Sequence, residues 1–251
     1  MLPDLSPDEL RRYDWQLTVR GFGEAGQRRL KAATVLVSRI GGVGGSAALQ
    51  LAAAGVGRLI LAHAGPLRLD DLNRQLLMTT AGIGTLRVDV ARQRLEALNP
   101  HVVVETFAEN ISEENAARLV SRCDLVVAAA PLFTERLLLN REAVRQGKPL
   151  VDSAMYELEG RVLTVLPGHT ACLACLCPEP PPNWRRKFPV FSAVSSTVGS
   201  LAAMEAIKVL AGLGEPLAGR LLTLDLAEMS FRTLSVARRP GCSVCGPVGA
   251  P

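Results

Sequence analysis

The sequence predicts an α/β fold with a doubly wound, mostly parallel sheet that is extended by antiparallel strands. Short β-rich runs alternate with helical patterns through the first 150 of the 251 residues. Such alternation is typical of a parallel sheet with helices on both faces. Beyond residue 150 the apolar runs predict antiparallel strands. Two distant Cys-x-x-Cys pairs in this second half indicate a metal site.

The first half opens with a helix. Ser6, Pro7 and Glu9 form a helix-start pattern with a capping box, and the helix should run to about residue 19. A glycine turn, Gly41-Gly42-Val43-Gly44, follows the first strand and opens the next helix. The predicted strands span residues 34–38, 58–62, 101–107 and 125–130. The predicted helices after the turn span residues 45–54, 85–98, 112–122 and 133–146.

The second half should contain strands at residues 150–153, 155–166 and 220–236, with Gly160 marking a bend between two of them. Residues 177–189 are rich in proline and carry Trp184, so we predict a surface crossover loop there. One long helix should follow at residues 192–212. No repeat or linker interrupts the chain, and we therefore expect a single continuous domain over residues 1–251.

Composition argues against several classes of protein. The net charge is only +4, and apart from short clusters such as Arg185-Arg186-Lys187 the basic residues are mixed with acidic ones, so we expect no nucleic-acid partner. No apolar run looks long enough to span a bilayer, and the N-terminus lacks a signal-peptide pattern. We expect a cytoplasmic protein with no membrane partner, in which cysteines serve as ligands or buried thiols.

Several motifs occur together in a specific order along residues 10–246. They are Arg12-Tyr13-Asp14-Trp15-Gln16, Arg20-Gly21-Phe22-Gly23, the glycine turn, Ala54-Gly55-Val56-Gly57, Leu72-Asn73-Arg74-Gln75, Asn99-Pro100, Gly199-Ser200, Glu205-Ala206-Ile207-Lys208 and the cysteine pairs. This order resembles the MoeB/ThiF/HesA family, the bacterial relatives of ubiquitin-activating E1 enzymes. The resemblance implies a Rossmann-like fold, with residues 1–150 as the nucleotide-binding type of half and residues 151–251 as the antiparallel, zinc-bearing half.

The resemblance also implies a chemistry. Members of this family bind ATP and Mg²⁺ and adenylate the C-terminal Gly-Gly of a ubiquitin-like, β-grasp sulfur carrier. Adenylation gives a poorly electrophilic carboxylate a good leaving group, while a metal and basic side chains offset the phosphate charge. Family members also form dimers, so we expect a homodimer or a heterodimer with an active homologue.

The chain departs from the family pattern at each point where that chemistry is expected. Arg39 stands where the glycine turn should have its first glycine. Ala62 and Ala64 stand where acidic residues should hold the ribose, with His63 between them as a packing residue. Pro131 replaces the aspartate that should bind Mg²⁺, and Trp15 replaces the second arginine of a basic finger that reaches the partner subunit. We therefore expect ATP and Mg²⁺ binding to be absent or very weak.

Some residues of a degenerate nucleotide site remain. They are Gly41, Gly42, Gly44, Arg74 and Arg87. The glycines can serve phosphate binding or tight strand-helix packing, and packing is the preferred interpretation. Arg74 and Arg87 can bind an anion or form ordinary salt bridges; Arg74 is the one catalytic candidate. Glu135 follows Pro131 closely, but we do not expect it to replace the missing metal ligand.

The cysteine pairs are the strongest local signal. Cys172, Cys175, Cys242 and Cys245 have the spacing of a structural Zn²⁺ site in which thiolates fill all four positions. Such a site would fix the C-terminal segment to the middle of the chain. Cys177 is either a reactive thiol or a spare cysteine near the zinc. Cys123 is predicted to be a core thiol.

Three functions remain in competition. The first and preferred one is a degenerate E1-like scaffold or partner subunit that binds a sulfur carrier or peptide without adenylating it. The second is a divergent adenylyltransferase in molybdopterin, thiamine or related sulfur-transfer biosynthesis. The third is an adaptor that has abandoned both nucleotide and carrier.

Overall fold

A computed structural model describes residues 2–184 and 188–246. The basic cluster Arg185-Arg186-Lys187 lies outside the described residues. The described chain folds around one sheet of eight strands in the order β3-β2-β1-β4-β5-β6-β7-β8. The strands are β1 (Thr34–Ser38), β2 (Arg58–Ala62), β3 (Val103–Phe107), β4 (Leu125–Ala128), β5 (Leu150–Tyr156), β6 (Glu159–Val165), β7 (Arg220–Asp225) and β8 (Ser230–Ser235).

The pairing confirms the predicted mixture of parallel and antiparallel strands. The five strands β1 to β5 pair in parallel. The pairs β5-β6, β6-β7 and β7-β8 are antiparallel. The parallel, doubly wound part of the sheet thus ends at β5, where the antiparallel extension begins. Strand β5 is parallel to β4 and antiparallel to β6.

The helices lie on both faces of the sheet. They are α1 (Pro7–Arg12), α2 (Asp14–Leu17), α3 (Gly23–Ala32), α4 (Gly42–Ala53), α5 (Arg87–Leu98), α6 (Ala116–Ser121), α7 (Phe133–Arg145), α8 (Leu173–Leu176) and α9 (Ser192–Ala211). Two separate clusters of buried apolar side chains form, one with α4 and α9 and the other with α6, α7 and the cysteine pairs. Each cluster shields one face of the parallel strands from water.

The long helix α9 is a core element. By length and composition alone it could cross a membrane, so the expectation that no apolar run is that long was wrong. In the fold, however, α9 packs against α4, β5 and β6. Its buried Glu205 carboxylate accepts hydrogen bonds from the Thr164 hydroxyl and the Leu217 N–H, both at 2.6 Å. Composition alone does not separate a buried core helix from a spanning one.

Four details of the predicted elements need correction. The first helix ends at Arg12, and Tyr13 separates it from α2. Helix α3 was not predicted. The run at residues 220–236 is two strands, β7 and β8. Gly160 lies inside β6 rather than at a bend, because the turn is formed by residues 157–158, where Glu157 has a φ of 52°.

Candidate functional site

A pocket opens beside the N-terminus of α4, at the carboxyl ends of the parallel strands. From β1 the chain runs outward through β2 and β3 on one side and then returns to β4 on the other side of β1, which makes this the position where open α/β sheets bind ligands. Gly41, Gly42, Arg74 and Arg87 line the pocket as the sequence predicted. Gly44 does not line it. The structure thus brings four of the five predicted residues together.

The glycine turn has two different roles. A Cβ on Gly42 would lie 2.6 Å from Ser195 Oγ, and one on Gly44 would lie 2.4 Å from the Arg39 carbonyl oxygen. Both glycines are therefore required by packing, as the preferred interpretation held. A Cβ on Gly41 would meet nothing closer than Gln75 Nε2 at 3.8 Å. Gly41 therefore borders the open pocket.

Arg39, where the family pattern has a glycine, adopts the left-handed conformation with a φ of 60°. A non-glycine residue in this conformation carries a steric penalty of roughly 1–2 kcal/mol. Its buried guanidinium forms a two-point ion pair with the buried carboxylate of Glu135: Nε donates to Oε2 at 2.8 Å, and Nη2 donates to Oε1. Arg39 therefore combines a strained backbone conformation with an ion pair that fixes its side chain.

This ion pair sets the charge of the pocket wall beside the glycine turn. The Arg39 side chain lines the pocket, next to the uncapped N-terminus of α4. Its charge is already matched by Glu135, so an incoming anion gains little from it. Glu135 in turn is engaged by the Arg39 guanidinium through both carboxylate oxygens.

The end of β2 offers no carboxylate to the pocket. Ala62 is fully buried, and neither Ala62 nor Ala64 lines the pocket. The Ala64 N–H donates to Asn110 Oδ1 at 2.9 Å, and its carbonyl accepts a hydrogen bond from Arg87 at 3.3 Å. His63 is buried and lines the pocket.

Asp71 organises the basic residues of the pocket. Its Oδ2 accepts from Arg87 Nη2 at 2.5 Å, and its Oδ1 accepts from Arg74 Nη2 at 3.3 Å and from Gln75 Nε2 at 2.7 Å. Arg74 and Arg87 are therefore salt-bridged residues with part of their charge already neutralised. The sequence reading missed Asp71, although the acidic pair Asp70-Asp71 directly before Leu72-Asn73-Arg74-Gln75 was a visible signal.

The crossover segment covers the pocket near Pro131. Trp184 Nε1 donates to the Pro131 carbonyl oxygen at 2.7 Å. The indole packs edge-on against Phe133, with ring centroids 5.0 Å apart, and lies near Phe188 and Tyr156. The prediction of a crossover loop is confirmed. Its aromatic lid, however, was not foreseen beyond the presence of Trp184.

The N-terminal motif fixes the chain start to the fold. Tyr13 Oη accepts from Asn99 Nδ2 at 2.9 Å, and Gln16 Nε2 donates to the Ala54 carbonyl at 2.9 Å. Trp15, at the position of the basic finger, is 90% exposed and lines neither pocket. It supplies no positive charge to an opposing surface.

The two cysteine pairs converge, as predicted, although they are far apart in the sequence. The sulfurs of Cys172, Cys175, Cys242 and Cys245 all lie within 4.8 Å of one another. Cys172 and Cys242 are 3.8 Å apart, and Cys175 and Cys245 are 3.3 Å apart. A tetrahedral zinc with Zn–S bonds of about 2.3 Å places its sulfurs about 3.8 Å apart. The arrangement therefore fits a four-thiolate zinc ion.

The surroundings act on the thiols of the cluster in both directions, since the pKa of Cys242 is lowered whereas burial raises the pKa values of Cys172 and Cys245. Burial raises the pKa of the Cys242 thiol. The backbone N–H groups of Cys245 and Val244 act in the opposite direction, and the net result is a pKa lowered to about 6. Burial raises the pKa of Cys172, and the Asn140 side chain opposes this. The Asn140 amide nitrogen has no hydrogen-bond partner among the described residues. A metal-bound sulfur would be a suitable acceptor for it.

The two remaining cysteines lie outside this cluster. Cys123 is buried, and burial raises its pKa to about 12, which confirms the core thiol. The Cys177 thiol donates to the Glu179 carbonyl at 3.0 Å, and burial raises its pKa as well. A raised pKa disfavours the reactive thiolate form of Cys177.

Residues 13–244 match the model of the ThiF family. The chain belongs to the ThiF family. Protein HesA, heterocyst, of Trichormus variabilis is 49% identical over 243 residues, which are 97% of this chain and 91% of that protein. The sulfur carrier protein adenylyltransferase of Thermus thermophilus is 43% identical over 248 residues, covering 95% of this chain and 92% of the relative. The sequence resemblance is thereby confirmed.

Solved structures share the fold of this ThiF-family chain. Crystal structures of E. coli MccB superpose with a TM-score of 0.86, at 24% identity, over 96% of this chain and 74% of MccB. The MccB structure with ATP gives a TM-score of 0.80 at 26% identity, over 88% of this chain and 69% of MccB. The MccB complex with N-formylated MccA gives 0.82 at 25% identity, over 88% and 70%.

Proposed function

We propose that this ThiF-family chain is a non-adenylating scaffold or partner subunit that binds a ubiquitin-like sulfur carrier or a peptide. The observation that carries the proposal is the Arg39–Glu135 ion pair. It occupies the phosphate side of the pocket with a matched pair of charges. A site built to bind the triphosphate of ATP needs unmatched positive charge there.

The other substitutions support the same conclusion. Pro131 provides no carboxylate for Mg²⁺, and its carbonyl already accepts the Trp184 N–H. The alanines at the end of β2 accept no side-chain hydrogen bond from a ribose. Each lost charged contact contributes about 1.5–3 kcal/mol, so three losses weaken binding about a thousandfold or more.

The relatives support the partner class. One is named a sulfur carrier protein adenylyltransferase, and MccB is solved in complex with N-formylated MccA. In our proposal this chain retains the partner-binding surface and acts as a homodimer or as a heterodimer with an active homologue. The cysteine cluster holds a structural zinc, which persists in a reducing cytoplasm.

An exchange assay tests the proposal. The purified chain is incubated with ATP, Mg²⁺, labelled pyrophosphate and candidate carriers that end in Gly-Gly, with the Thermus thermophilus relative as the positive control. We expect no label in ATP above the background without carrier. Carrier-dependent exchange comparable to that of the control would overturn the proposal.

The alternative is a divergent adenylyltransferase. It is favoured by the 43% identity to the Thermus thermophilus relative and by Gly41, which borders open space in the pocket. In that case Arg74 and Arg87 would bind phosphate after leaving Asp71. Exchange that depends on Arg74 would select this alternative, because the scaffold proposal assigns Arg74 no catalytic role.

A further inference from the structure

A second cleft adjoins the pocket on the antiparallel side of the sheet. It lies between strands β5 to β7 and the crossover segment, and Met155 and Trp184 line both cavities. Phe133 and Tyr156 give the cleft aromatic walls, and Arg161 of β6 is the basic residue at their side. The cleft therefore combines aromatic walls with charged side chains, among them Arg161 beside the Phe133 ring and Arg232.

Arg161 differs from its basic neighbour. The guanidinium groups of Arg136 and Arg161 lie 4.7 and 5.4 Å from the Phe133 ring centroid. Arg136 is buried and forms two bonds with Asp152, of 2.7 and 2.5 Å. Within residues 2–184 and 188–246, Arg161 forms no salt bridge and no side-chain hydrogen bond. Its guanidinium lies over the Phe133 ring.

The electrostatic environment leaves Arg161 without a matching charge. Burial lowers the pKa of Arg161, and the positive charge of Arg136 lowers it further. Asp152 acts in the opposite direction, but its two oxygens are occupied by Arg136. A partly desolvated guanidinium gains strongly from a carboxylate that reaches it.

We propose that Arg161 binds the carboxylate of a ligand that lies in this aromatic cleft. The inference deepens the proposed function and rests on it for the peptide character of the ligand. A carboxylate suits the site better than a phosphate, because Glu159, Asp225 and Glu228 also line the cleft and would repel a dianion. The planar fork of Arg161 matches the two oxygens of a carboxylate.

The cleft also has a fixed surface for the group that carries the carboxylate. Trp184 is held by its hydrogen bond to Pro131 and by its packing on Phe133. Tyr156 lies 6.0 Å from the same indole, measured between ring centroids. These rings can pack on a peptide plane or an apolar side chain next to the carboxylate. The carboxylate can come from a peptide C-terminus or from an acidic side chain.

Fluorescence of Trp184 tests the inference. The chain has two tryptophans, so in the full-length, zinc-loaded Trp15→Phe variant the emission comes from Trp184 alone. Three probes are titrated without ATP: N-acetyl-glycylglycine, its C-terminal amide, and N-acetyl-aspartic acid N-methylamide. The variants are Arg161→Gln, Arg161→Lys and, as a matched control from the same cleft, Arg232→Gln. Zinc content and thermal unfolding establish that each variant is folded.

We expect at least one of the two acids to bind about tenfold or more tightly than the amide, as one charge-assisted pair provides. The first acid points to a peptide terminus, and the aspartate derivative points to an acidic side chain. Arg161→Gln should reduce binding to the level of the amide, Arg161→Lys should retain part of it, and Arg232→Gln should change it less than about twofold, since a rim charge contributes little.

Three results would overturn the inference: equal binding of acids and amide, equal losses in Arg161→Gln and Arg232→Gln, or no binding of either acid at tens of millimolar. The test is independent of the proposed function. A chain that exchanges pyrophosphate but binds carboxylates through Arg161 would refute the former proposal and leave the latter intact. A chain that neither exchanges pyrophosphate nor binds carboxylates through Arg161 would support the former proposal and refute the latter.

Discussion

At the scale of single residues, Arg39 connects backbone strain, a buried charge and the state of the pocket. Its φ of 60° suits glycine, yet the residue is an arginine whose side chain reaches Glu135. Without the carboxylate, a buried guanidinium would stand unpaired in the pocket wall. Without the guanidinium, Glu135 would be a buried, uncompensated anion on α7. Arg39 and Glu135 therefore each provide the opposite charge that the other needs in its buried position.

This interdependence predicts the outcome of a double-mutant cycle. Glu135→Leu should lower the free energy of unfolding by about 3–5 kcal/mol, because it leaves an unpaired buried charge, and Arg39→Gly should lower it by roughly 1–2 kcal/mol less, because glycine relieves the backbone strain at this φ. The double variant should be more stable than either single variant. Urea unfolding measures all three. The exposed Arg68–Asp70 pair serves as the control and should show a far smaller coupling; strictly additive losses at Arg39 and Glu135 would contradict the account.

Residue identity predicted only part of this site. The sequence resemblance led us to expect a glycine at the position of Arg39 and carboxylates at those of Ala62, Ala64 and Pro131, so these departures were noted as expectations. The pairing of Arg39 with Glu135 was not expected, because 96 residues separate the two partners. Nothing local in a sequence encodes which buried charges meet across a sheet.

At the scale of elements, the close contact between β6 and α9 depends on Gly160. A Cβ there would lie 2.4 Å from Val198 Cγ2. Gly160→Ala should lower the free energy of unfolding by about 1–3 kcal/mol through overpacking, and Val198→Ala should restore part of it. Denaturant unfolding provides the measurement. Gly45→Ala in α4, where the nearest atom is 3.4 Å away, is the control and should be neutral or stabilising.

The start of α1 is joined to α3 through Glu9. Burial raises the pKa of Glu9, but its bonds with Lys31 and Ser6 outweigh this and leave the pKa below 4.5. A lowered folded-state pKa stabilises the fold above the unfolded value and loses this effect as the pH falls through the folded value. The difference in unfolding free energy between the wild type and Glu9→Gln should therefore be largest near pH 7 and shrink below about pH 4. A difference that grows on acidification would contradict this assignment.

Periodicity predicted the elements well where the period is clear. Strands β1 and β2 begin and end at the predicted residues. Helix α3 was missed because it contains two glycines, Gly23 and Gly26, which lower its helix propensity. Gly160 was assigned to a bend because glycine often marks one, whereas here tertiary packing against Val198 requires it. Such contacts follow from the assembled fold and not from local sequence.

At the scale of the whole molecule, the cysteine cluster joins the C-terminal residues to α8, which precedes the crossover segment. We expect one zinc per chain, measured by elemental analysis of reduced, freshly purified protein. Cys242→Ser should lower the free energy of unfolding by several kcal/mol, because the binding free energy of a structural zinc contributes to folding. Cys123→Ser, outside the cluster, is the control and should retain the metal. Less than half a zinc per chain in the wild type would contradict the assignment.

The mixed parallel and antiparallel sheet and the convergence of the cysteines followed from the sequence, because alternating elements and paired cysteines are visible as patterns along the chain. What the pocket can bind did not follow from the sequence, because it depends on which charged side chains lack a partner after folding. Asp71 matches Arg74 and Arg87, and Glu135 matches Arg39. Among the described residues of the pocket, each of these three arginines thus has a carboxylate partner within the protein, and Asp71 is shared by two of them.

Calorimetry with ATP and Mg²⁺ tests this central claim most directly. A pocket in which Glu135 engages Arg39, and Asp71 engages Arg74 and Arg87, should bind ATP with a dissociation constant of about 1 mM or weaker, and Mg²⁺ should not improve it. A dissociation constant of roughly tens of micromolar or tighter would contradict the account, because other residues would then have rebuilt a nucleotide site.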